Sequence, residues 1–264
     1  MRVRAIVISV AIAGVVLAGD SGSSAGSAAR FAGSAAGASA GARTGSGSAA
    51  GPDGPAAARA GGGRGAPGQL TGAQLTAALL PARDFPAAFA ASQQGSSDSG
   101  SSLEKSAATY SPSTISCTDW DNYFTSPGFG ETAFTTGTVT DRSSGQSYGQ
   151  VVYQFRGASA AARFFSDVQS LPGRCRSFTA GGGGSPDRVT MRRAMAPSVD
   201  GHQAFWLDQR TTVVGASSQI NTLFAVDGTD VIAISASGLG SAPPSSPAPP
   251  ALLRKLIASL HAPR

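Results

Sequence analysis

The chain has 264 residues and a formal net charge of +5, with 20 basic and 15 acidic side chains. Six of the basic and two of the acidic side chains lie in residues 1–68, which leaves the remainder nearly neutral, with 14 against 13. A nearly neutral domain gives no electrostatic reason to bind nucleic acid, and we expect no nucleic-acid partner.

The first residues have the pattern of a bacterial export signal. Two arginines precede an uncharged stretch, residues 5–18, which is shorter than the about 20 apolar residues of a membrane-spanning helix. Residues 16–19 resemble the end of a lipoprotein signal, but Asp20 occupies the position of the lipid-accepting cysteine. We therefore predict a signal peptide over residues 1–18 and a secreted, extracellular protein without a lipid anchor. Membrane contact is expected only during export.

Residues 19–68 consist almost wholly of Gly, Ala, Ser and Pro with scattered Arg. Such a composition cannot bury enough apolar surface to offset its conformational entropy, so we predict a disordered tether. The remaining residues, 69–264, are numerous enough for one folded domain with its own core.

Apolar periodicity predicts two helices and a strand in the first half of the domain. Three leucines lie on one side of a short helix over 74–80, and the Gly- and Ser-rich residues 92–102 are predicted to be a loop. Residues 149–155 alternate as in a half-buried strand, with two glutamines opposite the apolar side. A helix capped by Ser159 follows and ends at Pro172.

The second half of the domain is rich in predicted strands, over 188–195, 203–209, 218–226 and 230–236. Asp227-Gly228 predicts a type I′ hairpin turn between the last two strands, because both residues tolerate positive φ. An amphipathic helix over 251–260 follows. We therefore expect an α+β fold with one disulfide: a mainly antiparallel sheet, connected as a meander, with a few helices packed on one face.

Cys117 and Cys175 are the only cysteines. In an exported protein an isolated pair favours a disulfide, because the compartment oxidises thiols. A zinc site is the weaker alternative, since two ligands without nearby histidines cannot complete the metal's shell.

Taken in this order, the domain resembles the extracellular sensor domains of mycobacterial serine/threonine kinases and related secreted or lipid-anchored actinobacterial proteins. The resemblance covers about residues 70–262. It is carried by the Leu79–Pro86 stretch, Cys117 with Trp120, the strand ending at Phe155, the Ala-rich helix before Cys175, the paired strands around Asp227-Gly228 and the Leu-rich last helix. It implies an α+β sheet with a cleft for an extracytoplasmic ligand. Such kinase sensor domains are expected to have two disulfides, whereas this chain has cysteines for one.

Five residues are candidates for ligand binding. The amphipathic aromatics Trp120, Tyr123 and Trp206 can stack on a sugar ring, although packing beside the disulfide is the alternative. Arg188 and Arg192 share one face of a predicted strand and can recognise carboxylate or phosphate, although a solvated strand face is the alternative. We expect these residues to form one site between the sheet and its helices.

Catalytic and metal-binding patterns are weak. A serine hydrolase would need His202 as base with Asp200 or Asp208 to orient it, but Asp200-Gly201-His202 is more typical of a turn. Residues 119–122 hold three oxygen-bearing side chains, which is too few for calcium without further ligands and is also typical of a capped turn. We expect no enzyme, cofactor or metal.

The predicted function is a non-catalytic extracytoplasmic binding or sensing domain for an unknown envelope ligand or protein. The alternative is a secreted interaction or structural domain without a small ligand.

Overall fold

The fold is that of a computed structural model, which describes residues 69–98, 110–125, 127–180, 187–213 and 216–263. The predicted export signal, the predicted tether and the glycine run 181–184, for which the sequence predicts a hairpin loop, lie outside the described residues. None of the helices in these ranges is long and apolar enough to span a bilayer.

Besides a short 3₁₀ helix (Ala82–Asp84), four α-helices and eight strands make up the described domain. In chain order they are α1 (Gly72–Ala78), β1 (Ala90–Asp98), α2 (Cys117–Tyr123), β2 (Ala133–Asp141), β3 (Gln146–Gln154), α3 (Ala158–Arg174), β4 (Ser177–Ala180), β5 (Asp187–Met195), β6 (Gln203–Val213), β7 (Ala216–Asp227), β8 (Asp230–Leu239) and α4 (Pro249–Leu260). Thr71 and Gln74 form a capping box at the start of α1. Pro172 lies inside the last turn of α3, so this helix continues past the predicted end.

The strands form one sheet in the order β1-β2-β3-β8-β7-β6-β5-β4, and every neighbouring pair is antiparallel. The first three strands form one meander and the last five form a second. The two meanders meet where β3 pairs with β8. Helix α3 carries the chain from the centre of the sheet, at the end of β3, to its far edge at β4. The predicted α+β class with an antiparallel sheet is confirmed.

The helices cover both faces of the sheet rather than the one expected. On the first face, here called the α1/α4 face, Val152, Ile232 and Ile234 pack in one cluster with leucines of α1 and α4. On the second, the α2/α3 face, Val151 and Ala233 pack with aromatic residues of α2 and α3. A strand that is buried on both sides does not need a polar side. This explains why the neighbouring residues Val151 and Val152 of β3 are both apolar.

Buried glutamines are a second difference from the predicted half-buried strand. Gln150 is buried on the α1/α4 face, where its Oε1 accepts from the Leu80 N–H at 2.8 Å and its Nε2 donates to the Leu80 carbonyl at 3.0 Å. Gln154 is also buried, and its Oε1 accepts from the Leu70 N–H at 2.8 Å. Both glutamines satisfy backbone groups of the segment that covers them, which offsets the cost of their burial.

The predicted loop over 92–102 is wrong in its first part, because β1 extends to Asp98 and pairs with β2. As an edge strand, β1 has a neighbour on one side only, and its side chains can be polar. A strand without alternating apolar residues shows no strand pattern in the sequence. Strand β2 was not predicted. It is rich in threonine, and it includes buried Thr135, Thr138 and Thr140.

The hairpin between β7 and β8 is confirmed, but its turn lies one residue later than predicted. Asp227 pairs with Asp230, so the turn residues are Gly228 and Thr229, and only Gly228 has a positive φ, of 56°. The type I′ expectation at Asp227-Gly228 is therefore wrong. An Asp-Gly pair with positive φ at both positions does occur at Asp200-Gly201, with φ values of 50° and 86°.

Candidate functional site

The predicted disulfide is confirmed. Cys117 and Cys175 are bonded, with Cα atoms 5.4 Å apart. Cys117 begins α2, and Cys175 directly follows α3. The bond therefore fastens the start of α2 to the end of α3 on the α2/α3 face.

Trp120 is a core residue. It is 1% exposed, and its ring centroid lies 4.8 Å from that of Phe124 and 5.8 Å from that of Phe129. The cavity beside it, which Asp121 and Gln209 also line, has a volume of about 20 Å³. That volume holds about one water molecule. Trp120 therefore has no ring face open to a ligand, and the packing alternative describes it.

The two tryptophans lie on opposite faces of the sheet. Trp206 is paired with Ala194 in β5 and Leu223 in β7, and it packs against the cluster of the α1/α4 face. Trp120 belongs to the cluster of the α2/α3 face. The expectation of one site close to both is therefore wrong. Tyr123 ends α2, and its side chain lies outside the part of the chain that the structure describes.

Arg188 and Arg192 do share a face, as strand alternation predicts. Arg192 is paired with Asp208, and its Nη2 lies 2.9 Å from the Asp208 Oδ2. The side chain of Arg192 is 79% exposed and that of Asp208 23%. Both arginines and Trp206 therefore belong to the α1/α4 face. Arg193 is paired with Leu207 and belongs to the other face.

A shallow groove of about 830 Å³ crosses the outer strands. We call it the basic trough. Its lining includes one row of paired side chains that crosses β4, β5, β6 and β7 on the α1/α4 face: Ser177, Thr190, Arg210 and Gln219. Arg188 lies on one side of this row, Arg192 and Asp208 lie on the other, and Arg174 and Arg176 lie at the β4 end.

The basic trough carries positive charge that is not compensated. Among its described lining residues there are five arginines and one carboxylate, Asp208. Arg174 has a structural role, because its guanidinium donates to two backbone carbonyls, that of Ile115 at 3.0 Å among them. Arg176, Arg188 and Arg210 are exposed, and none of them forms an ion pair within the described ranges. Three guanidinium groups are therefore available to an anion.

Arg210 is a functional candidate that the sequence analysis missed. The predicted strand ended at residue 209, whereas β6 continues to Val213. Continuing the alternation from Trp206 through Asp208 places Arg210 on the same face. A longer predicted strand would therefore have included Arg210 among the candidate residues.

The two histidines converge on one carboxylate. His202 Nδ1 lies 3.5 Å from Asp227 Oδ1, and His261 Nε2 lies 2.5 Å from Asp227 Oδ2. Neither aspartate considered as a partner of His202 in a hydrolase occupies this position. Asp200 and Gly201 instead form the tight turn between Val199 and His202, which supports the turn alternative.

The oxygen-bearing residues after Cys117 belong to α2. Ser116 caps this helix by accepting from the Asp119 N–H at 3.0 Å. Asp121 Oδ1 accepts from Gln209 Nε2 at 2.6 Å. Burial raises the pKa of Asp121, and this effect outweighs the Gln209 hydrogen bond, which lowers it. No group of three or more His, Cys, Asp or Glu side chains in the described residues is arranged to hold a metal ion.

This chain is similar to known proteins in sequence and in structure. Residues 70–258 match the sequence family described as PknH-like extracellular domain. The extracellular domain of PknH from Mycobacterium tuberculosis is a similar solved structure, with a TM-score of 0.49 and 14% identity over 72% of this chain and 96% of that chain. No curated protein sequence matches significantly. Since the family match spans most of the chain, this protein belongs to the PknH-like extracellular domain family, and its domain is an extracytoplasmic, sensor-type domain.

Proposed function

We propose that this chain is a non-catalytic binding domain of the cell envelope and that its basic trough recognises an anionic ligand. The observation that carries the proposal is the set of exposed arginines on one sheet face, with Asp208 as the one described carboxylate among them. Helix α4 packs on β7 and β8, and the outer strands present polar side chains on this face. Because guanidinium groups bind carboxylate and phosphate through paired hydrogen bonds, the trough suits an anion.

The charge arrangement favours binding over a purely structural role. Arg192 already has Asp208 as a partner, and Arg174 holds backbone carbonyls. Arg188 and Arg210 have no such partner in the described chain, and they lie on neighbouring strands on the same face. Two such cations repel each other unless an anion lies between them.

The test is titration of the full chain with citrate by calorimetry at low ionic strength. We expect citrate to bind and Arg188→Gln with Arg210→Gln to weaken its binding about tenfold or more, since each charge-assisted hydrogen bond contributes roughly 1.5–3 kcal/mol. Arg163→Gln is the matched control, because Arg163 is an exposed arginine of α3. Equal affinity in the double variant and the control would remove the trough as the binding site.

An interaction domain without a small ligand is the second candidate, and one observation favours it. Beyond Ser177, the first residue of β4, the outer edge of β5 is open at Arg193 and Met195 in the described chain, and Met195 is 77% exposed. An open strand edge can accept a strand from another protein. Met195→Lys should abolish such an association, measured as a change in sedimentation with a partner, and leave citrate binding unchanged.

Export without a lipid anchor is also part of the proposal. It rests on the short apolar stretch and on Asp20 in the position of the lipid-accepting cysteine. Mass spectrometry of the protein from its native host should find a cleaved, unmodified N-terminus in the culture medium. An acylated form retained in the membrane fraction would refute this part.

A further inference from the structure

We infer that the ligand of the basic trough is an acidic oligosaccharide rather than a single small anion. This inference rests on the proposed anion-binding function and gives the class of the ligand.

The size of the trough points to an extended ligand. Its volume of about 830 Å³ lies within the range of about 300–1,000 Å³ that is usual for sites of larger organic ligands. The row from Ser177 to Gln219 crosses four strands. At about 4.8 Å between neighbouring strands, the row is roughly 14 Å long. One inorganic anion would leave most of this length empty.

The positions of the charges require more than one anionic group. Arg188 and Arg192 are four residues apart on β5, so their Cα atoms are roughly 13 Å apart at about 3.3 Å per residue. Arg192 is held over β6 by Asp208, which keeps it from converging with Arg188 on one small anion. A ligand that contacts both sides of the trough therefore needs charges at separated positions.

The neutral part of the trough favours a sugar over other polyanions. Besides Arg210, the row presents the hydroxyls of Ser177 and Thr190 and the amide of Gln219. The Gln219 Nε2 donates to Asn221 Oδ1 at 3.2 Å, which leaves the Gln219 Oε1 free to accept from a ligand hydroxyl. Polyphosphate has no hydroxyl donors along its chain, so it would leave this acceptor unused.

Trp206 lies outside the row, about 13 Å along β6 from Arg210 and beyond Asp208. Trp206 precedes Asp208 by two residues on the same face of β6, and its ring is partly exposed. A sugar chain that extends from the row past Asp208 reaches this residue, and an aromatic ring suits the apolar face of a sugar. Carboxylate groups on such a sugar would meet the arginines.

The probe is a hexamer of galacturonic acid, titrated into the full chain at low ionic strength. We expect it to bind at least tenfold more tightly than the galacturonate monomer and than the neutral hexamer of glucose. Hexaglutamate and a linear hexaphosphate, which have similar charge without sugar hydroxyls, should bind more weakly than the acidic hexasaccharide.

Two variants separate the sugar contacts from the charge contacts. Gln219→Leu should weaken binding of the acidic hexasaccharide about fivefold or more and leave citrate binding unchanged. Gln169→Leu, on α3, is the matched control and should change neither. Arg188→Gln should weaken the binding of both the acidic hexasaccharide and citrate.

Any other outcome contradicts either the inferred class of ligand or the anion-binding proposal itself. If the monomer binds as tightly as the hexamer, the site takes a single anion and the inference is wrong. If hexaglutamate or hexaphosphate binds as well as the sugar, or Gln219→Leu has no effect, the trough is a general polyanion site and the sugar class is wrong. In both cases the anion-binding proposal survives. If none of the anions, citrate included, binds, the proposal and the inference fall together.

Discussion

The carboxyl group of Asp230 should make the domain more stable in mild acid than at neutral pH. Asp230 begins β8 and is 9% exposed. Burial raises its pKa from 3.8 to about 6, against hydrogen bonds from Gln154 and Thr229 that lower it, while the charge of Asp227 raises it further and that of His261 lowers it. The charged form is therefore disfavoured in the folded protein.

The sign of the pH dependence follows from the raised pKa. In the unfolded chain the group titrates near 3.8 and in the folded chain near 6. Between these values the folded state binds more protons, so the free energy of unfolding falls as the pH rises through this window. The interval corresponds to about 3 kcal/mol at most, because one pKa unit corresponds to about 1.4 kcal/mol. The contribution is fully present below about pH 4 and lost above about pH 6.

The assay is urea unfolding of the wild type and Asp230→Asn between pH 4 and pH 7.5. The variant should be the more stable protein at pH 7.5, by up to about 3 kcal/mol, with a shallower pH dependence. The free energy of unfolding of the variant should still fall somewhat as the pH rises, because burial also raises the pKa of Glu131 and Asp121.

Asp84→Asn is the control, since Asp84 forms an exposed ion pair with Lys255 and should change stability by less than about 1 kcal/mol. If Asp230→Asn and the wild type show the same slope, Asp230 titrates as in water, and the reasoning from its burial is refuted.

Two further stability predictions follow from the core. Replacing Cys117 and Cys175 with Ala should lower the free energy of unfolding by about 4 kcal/mol, because the disulfide closes a loop with a sequence separation of 58 residues; an unchanged urea midpoint would contradict this. Gln150→Leu should cost roughly 1–3 kcal/mol for each of the two Leu80 backbone groups left unpaired. Gln146→Leu, which removes one exposed hydrogen bond, should cost less in the same assay, and equal losses would show that burial does not decide the cost.

Local patterns predicted three of the four α-helices and the strands β3 and β5 to β8, because those elements show their periodicity directly. The Leu-rich helix near the C-terminus and the strand after residue 230 are confirmed within a few residues. Strand β1 could not be found in this way, because an edge strand pairs through its backbone and its side chains need not be apolar. The second covered face was also missed, since covering both sides depends on where α3 crosses the sheet.

The candidate site was predictable only in part, for a related reason. Strand alternation correctly places Arg188 and Arg192 on one face. Whether Trp120 and Trp206 share that face depends on which side α2 packs, and no local pattern determines it. Trp120 was chosen for its chemistry, but the sheet lies between it and the arginines. If the predicted strand had extended to the true end of β6, its pairing with β5 would have added Arg210 to the candidate binding residues.

The pairing of β3 with β8 has a consequence for the kinetics of folding. Residues that pair between these two strands are 76 to 92 positions apart, whereas β4 to β8 are joined in succession by short connections. Closing the long loop costs more chain entropy than closing any of those hairpins. The β2–β3 hairpin and the β4–β8 meander should therefore form early as separate units, and their union should limit the folding rate. Apolar truncations along β3 or β8 should then slow refolding.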